Sequence, residues 1–375
     1  MPAHIRCDAA PGSRDLAAAV VEWQKQHGRH ALPWQGTRDA YRIWLSEIML
    51  QQTQVAAVIP YYQRFIARFP DVRSLAEAPA EEVMAQWSGL GYYSRARNLH
   101  RCAQIICADH GGIFPADPNL LAELPGIGRS TAAAISAFAY GTRAAILDGN
   151  VKRVFCRLFG VQGYPGERKV ELALWQHAEA LLPQQGIEAY TQGLMDLGAT
   201  VCTRSRPSCA RCPLSADCVA FGQGLTDSLP VRKPKKMLPT RQALMIVVVD
   251  GEDVLLEERP NFGIWGGLLS LPQLDDAENN FDTRDSVETA GRISAMASRF
   301  GEVASWQALQ DRSHVFTHFR LDMSLYLVRI AARRQMVAEA GHRWYPKAKL
   351  AEARHLARRL RLLRNTRTNI LQELI

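Results

Sequence analysis

The run CTRSRPSCARCPLSADC, from Cys202 to Cys218, places four of the chain's eight cysteines in one turn-rich segment spaced C-x6-C-x2-C-x5-C. No secretory pattern heads the sequence, so the expected compartment is intracellular, where thiols stay reduced. A metal site is then a better reading than disulfides. Zinc and an iron–sulfur cluster both accept four thiolates. Zinc ribbons usually carry two C-x2-C pairs, and only Cys209 and Cys212 form one here. The wider spacing suits the larger cofactor, with zinc as the alternative. Arg204, Arg206 and Arg211 either display positive charge to phosphate or make a solvated loop. Cys7, Cys102, Cys107 and Cys156 are scattered and read as ordinary thiols.

The 375 residues favour two domains, and 47% hydrophobic content allows substantial cores. A formal charge of +8 suits a polyanion, either nucleic acid or an anionic membrane surface, or simply a basic enzyme. No apolar run reaches membrane-spanning length, so no membrane span is expected. Residues 13–223 show apolar residues at three and four spacings, as in Leu16, Val20 and Trp23, which predicts helices. GLTDSLPVRKPKKMLPT, 224–240, has three prolines and four basic residues and reads as a linker. Beyond it, strand-like runs occur at 243–250, 253–259 and 321–330, and Leu356, Leu360 and Leu363 fall on one helical face. The expected organisation is an all-helical domain over 1–223 that includes the cysteine loop 202–218. A linker over 224–240 and a smaller α+β domain over 241–375 follow.

Three motifs carry chemistry. In LPGIGRSTAAAISAFAYG, 124–141, Gly126 and Gly128 are read as taking backbone angles barred to other residues. Their N–H groups and the following helix N-terminus then form an anion site, the helix–hairpin–helix pattern that grips a DNA phosphate without reading sequence. A plain interhelical turn is the alternative. Glu47, in YRIWLSEIMLQQTQV, lies among Trp44, Leu45, Ile48 and Leu50. A carboxyl buried there would hold its proton near neutrality, whereas a surface one would pair with a cation. Asp148, in ILDGNVKRVF, reads as a turn aspartate or helix cap, with Asn150 as rival cap, or as a second catalytic carboxylate. In GLGYYSRARN, 89–98, Tyr92 and Tyr93 stand beside arginines; they suit insertion into a base stack, or a core.

These motifs occur together with LPW at 32–34, SEIMLQQTQV at 46–55, GLGYYSRARNLH at 89–100, QGLMDLGA at 192–199, WGGLLSLPQ at 265–273 and HVFTHF at 314–319. In that order they resemble the adenine DNA glycosylases of the MutY family, within the endonuclease III superfamily. The resemblance covers nearly the whole chain. It implies a [4Fe–4S] cluster on Cys202, Cys209, Cys212 and Cys218. It also implies a base-flipping enzyme that removes adenine mispaired with 8-oxoguanine or guanine in double-stranded DNA. Glu47 would protonate adenine N7 and help activate water, and Asp148 would stabilise the cationic sugar. Trp34, Leu50, Gln52, Gln192 and Met195 match positions that line the adenine pocket or fill the gap in the duplex. Tyr92 matches the tyrosine that probes the opposite base. A monomer in the bacterial cytosol or nucleoid is the expected setting.

Bifunctional relatives carry a lysine nucleophile where this chain has Ser130, so the resemblance implies a monofunctional enzyme. Gln35 replaces an arginine seen in some relatives. The C-terminal half resembles the Nudix fold, but DDAENNFDTRDSVETAG lacks the paired glutamates that pyrophosphate hydrolysis needs. In the family this domain reads 8-oxoguanine through a Phe-Ser-His loop, matched here by Phe316, Thr317 and His318. The rival readings are a bifunctional endonuclease III-like pyrimidine glycosylase and AP lyase, a Nudix hydrolase with a DNA-binding appendage, and a non-enzymatic iron–sulfur DNA sensor.

Overall fold

A computed structural model describes residues 15–233, 238–259, 269–274, 286–316, 319–334 and 341–350. It divides into two units, Met1–Pro234 and Lys235–Ile375. Part of WGGLLSLPQ, the Leu356-Leu360-Leu363 face, Thr317 and His318 lie outside the described residues.

The first unit is helical. It contains α1 (Leu16–His27), α2 (Ala40–Leu50), α3 (Val55–Arg68), α4 (Val72–Glu77), α5 (Ala80–Trp87) and α6 (Ser94–Asp109). It continues with α7 (Pro118–Ala122), α8 (Arg129–Tyr140), α9 (Gly149–Leu158), α10 (Arg168–Ala180), α11 (Ile187–Asp196) and α12 (Val219–Gly222). Two hydrophobic cores hold these helices. One is rich in aromatics and includes Trp44, Phe65, Phe69 and Trp87. The other gathers Val20, Val151, Phe155, Leu174, Tyr190 and Leu197.

The small residues of α8 explain how the cores meet. Ala132, Ile135 and Ala139 enter the first core, while Ala133, Ala134 and Ala137 enter the second. A helix packed on both sides has little room beyond Cβ, and alanine is also the best helix former. The hairpin before α8 rests on the first core through Leu124 and Ile127.

The second unit is built on a seven-stranded mixed sheet. Its strands are β1 (Thr240–Asp250), β2 (Asp253–Glu258), β3 (Leu269–Ser270), β4 (Gly301–Ala308), β5 (Arg312–Val315), β6 (Arg320–Arg333) and β7 (His342–Pro346), with α13 (Ser286–Ala297) between β3 and β4. The central pair β1 and β6 is parallel, and β5 lies antiparallel to β6. Along β1, Ala243, Met245, Val247 and Val249 enter one core and Leu244, Ile246 and Val248 the other. Burial on both faces accounts for the uninterrupted apolar run ALMIVVV.

Part of the predicted linker packs on the helical unit. The Leu225 N–H donates to the Ala220 carbonyl (2.7 Å), and Leu229 is buried. The carbonyl of Leu229 accepts from Arg157 Nε (2.9 Å). β1 begins only at Thr240.

Candidate active site

Helix α2 carries Glu47 because its start is fixed: the Asp39 side chain caps it, accepting from the Tyr41 N–H at 2.9 Å. Ile43, Trp44, Leu45, Ile48 and Met49 are buried around the helix. Glu47 instead borders a cavity of about 510 Å³, which leaves it some solvent contact. The surrounding protein still dominates its ionisation: burial first, then the charge of Asp148, push its pKa up to about 8. It has no ion-pair partner among the described residues, which removes the surface salt-bridge reading.

Trp34, Leu50, Gln192 and Met195 line the same cavity, as do Gln35 and Arg29. Its volume is in the range of sites that enclose a small ligand. Trp34 is held edge-on against Tyr62, with ring centroids 5.3 Å apart. Gln35 is turned to the backbone, donating to the Arg29 carbonyl (2.8 Å) and accepting from the Leu32 N–H (3.0 Å). Nothing in the motif pattern marks the part played by Asp196, which is 1% exposed. It accepts from the Arg29 N–H (2.8 Å), Arg29 Nε (2.6 Å) and Gln192 Nε2 (2.8 Å), and so orients two cavity-lining side chains.

Asp148 caps α9, accepting from the Val151 N–H at 2.8 Å. The cap reading and the catalytic reading are therefore compatible in one residue. Burial raises its pKa, while the backbone N–H groups of Val151 and Asn150 and the cations Arg153 and Lys152 pull the other way. Glu47 has no such counterweight. The two carboxyls are thus set apart, with Glu47 the better proton holder and Asp148 the better anion. Ser130 supports this region rather than the cavity wall: its Oγ accepts from the Leu147 N–H at 2.9 Å, one residue before Asp148. Asn150 is not the cap. Its Oδ1 accepts from Arg153 Nη2 (2.9 Å), and Arg153 also donates to the carbonyls of Cys202 (2.7 Å) and Gly198 (2.6 Å). The spacing of Asn150 and Arg153 on one helical face was the signal in the sequence for this link.

The hairpin between α7 and α8 corrects one expectation. Gly126 has φ +81°, a left-handed angle that favours glycine. Gly128 does not: at φ −90° and ψ 167° it is ordinary extended backbone that starts α8 without a side-chain cap. A Cβ at Gly126 would stand 3.0 Å from Asn98 Cβ, whereas at Gly128 it would meet nothing within 4 Å. What Gly128 offers is an uncrowded approach to the positive end of α8.

Gln52 and Tyr92 do not line the cavity. Each is a non-glycine residue with a left-handed backbone, at φ +56° and +50°, and Tyr92 is 51% exposed. Arg95, which sequence reasoning passed over, reaches both segments. It is 8% exposed, and burial lowers its pKa to about 10, so it stays a cation at neutral pH.

Cys209 opens a single 3-10 turn, Cys212 closes it with its N–H on the Cys209 carbonyl (3.0 Å), and Cys218 precedes α12. The four thiols share one neighbourhood. Burial first, and then the charges of Cys202, Cys218 and Cys209 against a lowering hydrogen bond from the Leu214 backbone, push Cys212 up to about 11. Arg157, 2% exposed, donates through Nη1 to Cys202 Sγ (3.3 Å). Among the described residues, no three ligand side chains converge as one metal ion would require. Four neighbouring thiols are a donor set that either a single zinc or a polynuclear cluster accepts.

In the second unit, Phe316 is half-buried, stacked on Phe319 at 4.6 Å, with its N–H on the Phe319 carbonyl (2.8 Å).

A carboxyl that borders a cavity with a second carboxyl in its field, a glycine hairpin and a four-thiol loop, in a helical unit followed by a Nudix-like sheet, define a base-excision DNA glycosylase with an added domain. The family model described as "HhH-GPD superfamily base excision DNA repair protein" matches residues 45–180, and that of the NUDIX domain matches 243–363. The adenine DNA glycosylase of Buchnera aphidicola subsp. Acyrthosiphon pisum (strain APS) is 36% identical over 315 residues, 83% of this chain and 85% of the relative. That of Mus musculus is 32% identical over 397 residues, 92% of this chain and 76% of the relative. A solved thermostable thymine-DNA glycosylase superposes with a TM-score of 0.51 at 31% identity, covering 55% of this chain and 95% of that one. The chain belongs to the adenine DNA glycosylase family. No helix among the described residues is long and apolar enough to cross a membrane.

Proposed function

We propose that this protein removes adenine mispaired with 8-oxoguanine or guanine from duplex DNA, and that it does so without a covalent amine intermediate. One observation carries the reading: Glu47, raised to about 8, borders a base-sized cavity with Asp148 in its field. A neutral Glu47 can give its proton to N7 of a flipped adenine, which makes the base a better leaving group. Asp148, held by the α9 cap and flanked by Arg153 and Lys152, remains the anion that faces the cationic sugar as the glycosidic bond breaks. Glu47, now ionised, accepts a proton from the attacking water, and the proton balance closes.

Trp34, Leu50 and Met195 supply the apolar walls, and Gln192, oriented by Asp196, supplies an amide to the base edge. Gln52 and Tyr92 fill the space left in the duplex and probe the opposite base. The α8 N-terminus with Gly126 and Gly128 takes a backbone phosphate. Ser130 has no amine and its hydroxyl is engaged with the Leu147 N–H, which supports a monofunctional course.

Cys202, Cys209, Cys212 and Cys218 would hold the [4Fe–4S] cluster for which this family type is known. When bound, it would cross-link the loop that carries Arg204, Arg206 and Arg211 and add no step to the hydrolysis. Residues 224–240 join the catalytic domain to a lesion-reading domain over 241–375, in which Phe316, Thr317 and His318 contact 8-oxoguanine. Incubation with duplexes carrying A opposite 8-oxoguanine, A opposite G, A opposite T, or thymine glycol tests the reading. Alkali-dependent strand cleavage confined to the mispaired adenines is expected. Cleavage at thymine glycol, or without alkali, would overturn it.

A further inference from the structure

Arg95 is a buried cation that the hydrolysis just described does not use. It stands in the first turn of α6, and its guanidinium reaches the end of α2. Nη1 donates to the carbonyls of Ile48 (2.9 Å), Met49 (2.9 Å) and Gln51 (2.7 Å). Nη2 donates to Thr53 Oγ1 (3.2 Å) and to the Gly91 carbonyl (3.1 Å). The Arg95 backbone N–H donates to the Tyr92 carbonyl (2.9 Å). One residue thus grips the chain on both sides of Gln52, at 51 and 53, and on both sides of Tyr92, at the carbonyls of 91 and 92.

Gln52 and Tyr92 are two of only three described non-glycine residues with positive φ. A left-handed backbone is strained for an L-residue and persists only where neighbours over-determine it. The rings of Trp87 and Tyr92 also flank the guanidinium, at 5.3 and 5.5 Å. The Trp87 indole N–H shares the Gly91 carbonyl (3.1 Å). The remaining Nε–H of Arg95 has no hydrogen-bond partner among the described residues, so the fork's other donors carry the joint. An ammonium has one nitrogen and cannot span two segments as a planar fork does.

We propose that Arg95 is a positioning residue that locks the Gln52 and Tyr92 segments together, so that both side chains enter the duplex as one fixed pair. The proposal rests on the reading that these two side chains probe the DNA. Arg95 touches neither base nor sugar; it acts through Gln52 and Tyr92. The α2 cap alone would explain the bonds to Ile48 and Met49 but not those to Thr53 and Gly91.

A double-mutant cycle separates this role from simple helix capping. Arg95→Lys is compared in the wild-type chain and in a Q52A/Y92A chain, by single-turnover excision against enzyme concentration. Fluorescence of a 2-aminopurine placed beside the mispaired adenine reports unstacking. In the wild-type background, Arg95→Lys is expected to raise the half-saturating concentration about tenfold and to reduce the fluorescence rise. In Q52A/Y92A it is expected to add less than about twofold, because the two side chains that Arg95 positions are gone although its own hydrogen-bond partners remain. Equal losses in both backgrounds would overturn the proposal alone. A Q52A/Y92A protein that binds and excises like wild type would overturn the reading beneath it, and the proposal with it. Should Arg95→Lys fail to fold, Thr53→Val removes one acceptor and keeps the side-chain size. It is then expected to raise the half-saturating concentration about threefold, again only where Gln52 and Tyr92 are present.

Discussion

Glu47 on α2 and Asp148 at the cap of α9 share one electrostatic field, although 101 positions (148 − 47) separate them in sequence: after burial, the charge of Asp148 is what pushes Glu47 up. Glu47→Gln is therefore expected to lower adenine excision by about a hundred- to ten-thousandfold while leaving mispair affinity within a few fold. Single-turnover excision and a gel-shift titration on one duplex check both halves. Substantial residual excision would remove Glu47 from the role of acid.

The same shift makes a statement about stability. The Glu47 carboxyl has an ordinary value of 4.5 and a folded value of about 8, so as pH rises the unfolded chain releases this proton first. Stability from this group is full below pH 4.5 and declines towards pH 8. Gln cannot ionise, so the Tm of Glu47→Gln should gain on wild type across that window. Excision by wild type should fall as pH passes about 8, because the acid form is lost. A Tm difference that does not change with pH would contradict the buried neutral carboxyl.

Asp148→Asn should separate cap from chemistry. Asn caps about as well as Asp, so stability should change by about 0.5 kcal/mol or less, whereas Asp148→Ala should lose about 1 kcal/mol. Both should lose excision, since neither leaves an anion to face the sugar. Asn also removes the charge that raises Glu47, so any residual activity should decline at lower pH than in wild type. Urea unfolding and a pH–rate profile read the two effects independently.

Much of this site was legible in the sequence because its signals are local. Apolar neighbours on α2 marked Glu47 as a buried carboxyl, and LPGIG followed by small residues marked the hairpin and its helix. The strand runs of the second unit stood out because β1 is buried on both faces and must be apolar throughout. What stayed hidden depends on long-range contact. Arg29 meets Asp196 across 167 positions, and Arg95 reaches carbonyls 44–47 positions away. Charged residues carry no periodic signature, so nothing in SRARN told Arg95 from a solvated arginine. The Gly128 reading missed for another reason: a motif glycine does not announce whether it serves for its angle or for its lack of a side chain.

The four thiols predict colour and metal content. Anaerobically purified protein should be brown and contain about four iron atoms per chain when fully loaded. Zinc without iron would reverse the assignment. Cys209→Ser and Cys212→Ser should impair folding or DNA binding more than the chemical step, because neither thiol lines the cavity that Glu47 borders. Iron analysis, thermal melts and single-turnover rates at saturating enzyme distinguish these effects.

Ser130→Lys should confer some strand cleavage. The Ser130 hydroxyl lies 2.9 Å from the Leu147 N–H, beside the segment that delivers Asp148, so an amine placed here enters the region of the reacting sugar. Borohydride should then trap a covalent complex with mispaired duplex. A folded variant that traps no more DNA than wild type would show that position 130 does not face the sugar.

Removing the second unit should leave the chemistry and lose the lesion preference. Leu229 is buried and its carbonyl satisfies Arg157, so the cut belongs after Lys233 rather than at Gly224. A chain ending there keeps both helical cores, the four cysteines and the cavity, and should fold and excise adenine. It lacks Phe316, Thr317 and His318 and should lose its preference for adenine opposite 8-oxoguanine over adenine opposite guanine. One polar contact to the lesion is worth about 1–3 kcal/mol, or roughly ten- to a hundredfold in discrimination. His318→Ala in the full chain should show part of that loss, mainly as weaker binding. Affinities and single-turnover rates on the two mispairs measure both. If the shortened protein folds, excises and keeps full preference, the discrimination resides in the helical unit, and Tyr92 becomes the first residue to test for it.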